Sequence, residues 1–131
     1  MTNKMSNNRK NKRFDLEERT AKFGEEVIEF SKQKNVNPIF APLFIQLVRA
    51  ATSIGANYCE ADCAETKKDF EHKIALSKKE SKETKHWLRM IVKAMPDLGS
   101  EARALWREAN ELNLIFTAII NKSRANLKNR N

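Results

Sequence analysis

Residues 70–95 read FEHKIALSKKESKETKHWLRMIVKAM. Phe70, Ile74, Ser77, Ser81, Thr84, Leu88, Ile91 and Met95 recur at alternating steps of four and three. That spacing lays one unbroken stripe along one face of an α-helix. The middle of the stripe is small and hydroxylated, which lets a neighbouring helix approach closely while burying less apolar surface there. Thr66 stands where an N-cap belongs, with Asp69 at the capping-box position. Met95-Pro96-Asp97 ends the segment, because the residue before proline avoids helical backbone angles.

The same spacing continues on both sides. Downstream, Leu98, Ala102, Leu105, Ala109, Leu112, Phe116 and Ile119 form a second stripe. Upstream, Leu16, Thr20, Phe23, Val27 and Phe30 form another, with Asp15 and Glu18 as a capping box. Lys34 to Asn37 reads as a turn, and Asn37-Pro38 suits a helix start, with Pro42 placed to delay or bend it. The chain therefore predicts four helices, at about 15–34, 38–64, 66–95 and 98–127. Joined by short connections, such rods pack as an all-α, antiparallel, up-down-up-down four-helix bundle, crossing at ~20°. The expected domain is 14–122, flanked by basic tails at 1–13 and 123–131, the first of them flexible.

Composition agrees. Only 3 Gly and 3 Pro occur in 131 residues, too few turn-formers for an all-β chain. No apolar run approaches the ~20 residues of a membrane span. The most apolar stretch, Ile39 to Ile54, is interrupted by Pro42, Gln46 and Arg49. The basic, Asn-rich N-terminus precedes no apolar segment of the secretory kind. Cys59 and Cys63, one helical turn apart, suit a disulfide poorly. Reduced, buried thiols in a cytoplasmic protein are the expectation.

The net charge of +8 is unevenly distributed. Lys4, Arg9, Lys10, Lys12 and Arg13 at one end, and Lys122, Arg124, Lys128 and Arg130 at the other, are accompanied by no acid. All 17 acids lie between Asp15 and Glu111, opposite 16 bases, so the body is nearly neutral. In an up-down-up-down bundle both cationic ends leave from the same pole. Nine positive charges there can neutralise phosphates of RNA or DNA without reading sequence. The rival explanation is that they complement a helix dipole and keep the chain soluble.

Catalysis finds no constellation. Cys59, Cys63, His72 and His86 are the only soft metal ligands, and their spacing matches no zinc site. Neither metal nor cofactor is expected. Asn57, Glu60, Asp62 and Glu65 near the helix 2–3 turn have no nucleophile, histidine or glycine loop beside them. They read as polar groups organising that turn. Arg49, inside an apolar stretch, reads as half of a structural ion pair, with Glu60 or with a neighbouring helix. Helix two (Ile39, Phe40, Leu43, Phe44, Ile45, Leu47, Val48, Ile54, Tyr58) and helix four (Trp106, Leu114, Ile115, Ile120) carry more apolar surface than one core stripe uses. Such excess points to self-association, or to a protein partner.

The run Arg49-Ala50-Ala51-Thr52-Ser53-Ile54-Gly55-Ala56-Asn57-Tyr58-Cys59-Glu60 carries a further signal. It resembles the R-A-A-x-S-I-x-A-N-x-x-E signature of the bacterial four-helix-bundle family associated with intervening sequences in 23S ribosomal RNA genes. Lys68-Asp69-Phe70, Ile74-Ala75 and Lys78-Lys79-Glu80-Ser81-Lys82-Glu83 extend the likeness, which covers roughly 14–122. The resemblance implies a left-handed antiparallel bundle, often a homopentamer, without assigned catalytic residues. It also implies kinship with basic accessory proteins of diversity-generating retroelements, which contact nucleic acid and a reverse transcriptase. Arg49, Ser53, Asn57 and Glu60 would then be signature positions of structural character. After Glu60 the chain departs from the pattern, with Ala61-Asp62 where many members have glycine.

Overall fold

The computed structural model describes the backbone of residues 4–129 and the side chains of residues 15–126. Four α-helices account for most of it: α1 (Lys4–Phe30), α2 (Ala41–Asp62), α3 (Lys67–Ala94) and α4 (Gly99–Asn129). No strand occurs among the described residues.

Side-chain pairings fix the order of the bundle. Between α1 and α2, Phe30 stacks near Phe44, Gly24 lies against Thr52, and Thr20 lies against Gly55. Between α2 and α3, Arg49 meets Glu80 and Glu83, Ile54 meets Ser77, and Glu60 meets Lys73. Between α3 and α4, Glu71 meets Ser123, Ser81 meets Asn113, and Lys85 meets Asn110. In each pair the numbers rise along one helix as they fall along the other, so neighbours are antiparallel. Arg19 of α1 forks onto Glu108 of α4 through two bonds of 2.8 and 2.7 Å and closes the ring. The start of α1, the α2–α3 turn and the end of α4 therefore share one pole.

Each helix turns its stripe inward. Phe23 and Val27, Leu47 and Ile54, Ile74 and Leu88, and Leu112 and Phe116 are all buried. Fully burying such side chains stabilises the fold by about 1.5–3 kcal/mol each, before ordering entropy is set against it. Ser77, Ser81 and Thr84 are buried too, with their hydroxyls satisfied. Ser77 Oγ donates across to the Ile54 carbonyl at 2.9 Å; Ser81 and Thr84 donate back to the carbonyls of Lys78 and Glu80 within α3.

The helices differ from expectation in four places, the first being that α1 stops at Phe30 and not near residue 34. Asp15 is not a cap: α1 begins at Lys4, so residues 4–13, expected as a tail, have helical backbone. No Gly or Pro stands between Lys4 and Phe23 to stop the helix, and straight-chain Lys, Arg and Met sustain it. Asn37-Pro38 opens a turn rather than α2, with the Ile39 N–H donating to Asn37 Oδ1 at 3.0 Å. The helix waits until Ala41, where Pro42, lacking an N–H, fits the first turn. At the far end of α4, Ile120 is buried and Ile119 only half-buried, the reverse of the expected stripe.

Thr66 caps α3 as its spacing predicts, its Oγ1 accepting from the Asp69 N–H at 3.0 Å. Met95 is extended ahead of Pro96, and residues Pro96–Leu98 form one 3₁₀ turn leading into α4.

Candidate nucleic-acid interface

Arg49, Ser53, Asn57 and Glu60 lie on the flank of α2 that faces α3. The Arg49 guanidinium holds Glu80 at 3.4 Å and Glu83 more closely, and its Nε donates to Gln46 Oε1 at 3.0 Å. Ser53 Oγ donates to the Arg49 carbonyl at 2.7 Å, and Asn57 Nδ2 to the Ser53 carbonyl at 2.9 Å. Glu60 pairs with Lys73 at 2.6 Å, not with Arg49. Every one of these contacts lies within α2 or bridges α2 and α3. The hydrogen bond to Glu83 raises the Arg49 guanidinium further above its ordinary pKa. Burial pushes the Glu80 carboxyl up from the usual carboxylate range, and Arg49 only partly offsets it.

The cationic chain ends are only partly within the described side chains. Lys122 and Arg124 are exposed on the last turns of α4. Lys4, Arg9, Lys10, Lys12, Arg13 and Lys128 sit on helical backbone, with side chains outside the described set, and Arg130 lies outside it altogether.

The thiols correct an expectation. Cys59 and Cys63 are free, and both are exposed rather than buried. The α2 core stripe runs through Ile54, Tyr58 and Ala61, which turns both cysteines outward. Partial desolvation, then the nearby Glu17 carboxylate, raises the Cys59 thiol pKa. His72 and His86 are exposed on α3, His86 standing edge-on to Trp87 at 5.0 Å. Among the described residues no three His, Cys, Asp or Glu converge as a metal site. No described helix is long and apolar enough to cross a membrane.

A near-neutral body conceals a segregation that charge counting along the chain misses. Glu17, Glu18 and Glu25 line the outer groove between α1 and α2. Lys78, Lys79, Lys82 and Lys85 line the groove between α3 and α4. A signal was present in the sequence, since these lysines recur at steps of one to four on a single helix; which neighbour they would face was not.

A solved structure of a protein with unknown function from the S23 ribosomal protein family of Bacteroides thetaiotaomicron VPI-5482 has the same fold. Its TM-score is 0.72 at 24% identity, over 80% of this chain and 97% of that one. No curated protein is significantly similar in sequence. The family model described as 23S rRNA-intervening sequence protein matches residues 12–118. With its signature residues laid along the α2–α3 seam and that match spanning most of its length, the chain belongs to the 23S rRNA-intervening sequence protein family.

Proposed function

We propose that this protein is a non-catalytic, self-associating helical scaffold that binds nucleic acid through the cationic ends of α1 and α4. The observation that carries this reading is the antiparallel order of the bundle. It puts the start of α1 and the end of α4 at one pole, and the sequence supplies nine basic residues there with no acid. Association amplifies the effect, because each added copy brings nine more positive charges to the assembly. The family's description makes ribosomal RNA the first probe to try. Self-association is supported by large apolar side chains left in water: Ile39 is 73% exposed, Ile45 65% and Leu114 57%.

Electrophoretic shift of an RNA fragment across a salt series tests the reading. Changing Lys4, Arg9, Lys10, Lys12, Arg13, Lys122, Arg124, Lys128 and Arg130 to Gln keeps helix-forming side chains and removes the charge. Binding is expected to collapse, and the dependence of log K on log salt to flatten by about 0.7–0.9 for each phosphate no longer neutralised. Unchanged binding would rule this reading out. Wild-type protein that shifts no RNA at any salt would instead favour a protein adaptor using the exposed apolar faces, and partners captured from nuclease-treated lysate would identify it.

A further inference from the structure

We infer that the groove between α3 and α4 is a second nucleic-acid contact, built to hold the sugar-phosphate backbone of a single strand. The groove has a volume of about 390 Å³, with Ala75 in its lining and Lys78, Lys79, Lys82 and Lys85 around it. Lys78, Lys82 and Lys85 climb α3 in steps of four and three residues. At 1.5 Å per residue they stand roughly 4.5–6 Å apart along the axis, a rise suited to successive phosphates.

The electrostatics favour an outside anion. Arg19, Lys22, Lys32, Arg49 and Lys73 each pair with a carboxylate of this chain. Among the described residues, Lys78, Lys79, Lys82 and Lys85 do not. The acids of the middle of α3, Glu80 and Glu83, are turned to the opposite flank and held by Arg49. Lys79 also acts through space on the Glu80 carboxylate, but Lys78, Lys82 and Lys85 have no described carboxylate matched to them in the groove; their ammonium groups repel each other, and a bound polyanion relieves that repulsion.

One end of the groove is ordered in advance. Lys85 Nζ donates to Asn110 Oδ1 at 3.1 Å and sits 5.1 Å from the centre of the Trp106 ring. Trp106 remains 40% exposed, a large aromatic surface beside a line of cations. Cations that track a backbone, next to an aromatic that receives a base, are how proteins hold single strands without reading sequence. The groove is separate from the pole where the cationic chain ends meet. It shares with the proposed function only the premise that the ligand is nucleic acid.

The test compares full-length wild type with K78Q/K82Q, with the nine-residue chain-end variant described above, and with K32Q/K34Q as a charge-matched control. Fluorescein-labelled polyuridylate is titrated at several salt concentrations and followed by anisotropy, and tryptophan emission is recorded in parallel. K78Q/K82Q is expected to bind about tenfold or more weakly, with a log K against log salt slope shallower by about 1.4, while the control binds as wild type. Wild-type emission is quenched on binding, and W106L loses that quenching while Trp87 continues to report the fold. If K78Q/K82Q matches wild type and the chain-end variant does not, the groove assignment is overturned and the chain-end reading survives. If K78Q/K82Q is weakened and the chain-end variant matches wild type, the groove stands and the chain-end reading fails. Weakening in both variants supports both sites, and weakening in neither removes both. A polyglutamate peptide that binds as tightly as polyuridylate, with the same loss in K78Q/K82Q, overturns the nucleic-acid assignment in favour of an acidic protein partner.

Discussion

Arg49 divides its charge between two carboxylates in unlike surroundings. The Glu80 side chain is 14% exposed and that of Glu83 39%. Burial raises the Glu80 pKa against the pull of Arg49. An acid whose folded pKa exceeds its unfolded one binds its proton more tightly in the folded state. Its contribution to stability is therefore full below the unfolded value near 4.3 and is lost as pH rises through the folded one. At pH 7 the charge on Glu80 works against the fold. Glu80→Gln is accordingly expected to raise the thermal midpoint at pH 7 and to lose that advantage near pH 4. Glu83→Gln removes the closer and more exposed partner and is expected to lower stability by about 0.5–1 kcal/mol. Parallel melts of both variants at the two pH values decide the matter. A loss for Glu80→Gln equal to that for Glu83→Gln would mean that burial is not the dominant influence on Glu80. The sequence showed Arg49 inside an apolar run and so marked it for an ion pair. It did not show which of the nearby acids would receive it, because that choice depends on the register between α2 and α3.

Among the elements, α1 and α2 pack together through two glycines that differ in what surrounds them. A methyl on Gly24 would meet Thr52 at 3.7 Å, ordinary contact. A methyl on Gly55 would meet Thr20 Oγ1 at 3.2 Å, Thr20 Cβ at 3.4 Å and its backbone carbon at 3.5 Å. Thr20 is buried, and its hydroxyl is tied to the Glu17 carbonyl at 3.0 Å, so it has little room to retreat. Gly24→Ala is therefore expected to gain about 0.5–1 kcal/mol from reduced unfolded-state freedom. Gly55→Ala is expected to show no such gain, and Gly55→Val to lose about 1–3 kcal/mol through overpacking. Chemical denaturation of the three variants reads these differences directly. The α3 stripe from Phe70 to Met95 could be read from sequence because a four-three period survives when Ser or Thr replaces Leu. Helix ends were harder. Asp15 and Asn37 have the right chemistry for caps, but a cap only permits a helix to start; where nothing breaks the chain upstream, as before Asp15, the helix simply continues. The exposed thiols escaped for a related reason. A cysteine's tendency to be buried is an average, whereas the phase of the Ile54–Tyr58–Ala61 stripe is specific to this helix.

On the scale of the whole molecule, antiparallel packing sorts the charges that the sequence leaves balanced. The α1–α2 side carries a partly apolar groove edged by Glu17, Glu18 and Glu25, with Ile28 in its lining. Ile45 stands two turns before Thr52 on the same side of α2 and is exposed. Across the bundle, Leu114 is exposed on α4, with exposed Arg103 and Arg107 on the turns before it. An acid-rimmed apolar face and a base-flanked apolar face on one chain complement each other between copies. Such a head-to-tail contact closes into a ring when the rotation permits, whereas a contact between identical faces stops at a dimer. If the proposed self-association uses these two faces, Ile45→Asp and Leu114→Asp should each reduce the mass measured by light scattering to that of a monomer. Each variant would still retain one intact face. An equimolar mixture of the two should therefore form a species of two chains and no larger one, since the intact α1–α2 face of one variant meets the intact α4 face of the other. A symmetric contact predicts the opposite for the mixture: a variant that spares the face continues to dimerise with itself, and the one that damages it remains monomeric. Because burial of apolar surface drives the contact, the assembly should persist at high salt, while the flanking charges set how fast it forms. Wild-type protein that scatters as a monomer at every concentration and salt would exclude the head-to-tail arrangement and leave Ile45 and Leu114 free to face a different protein.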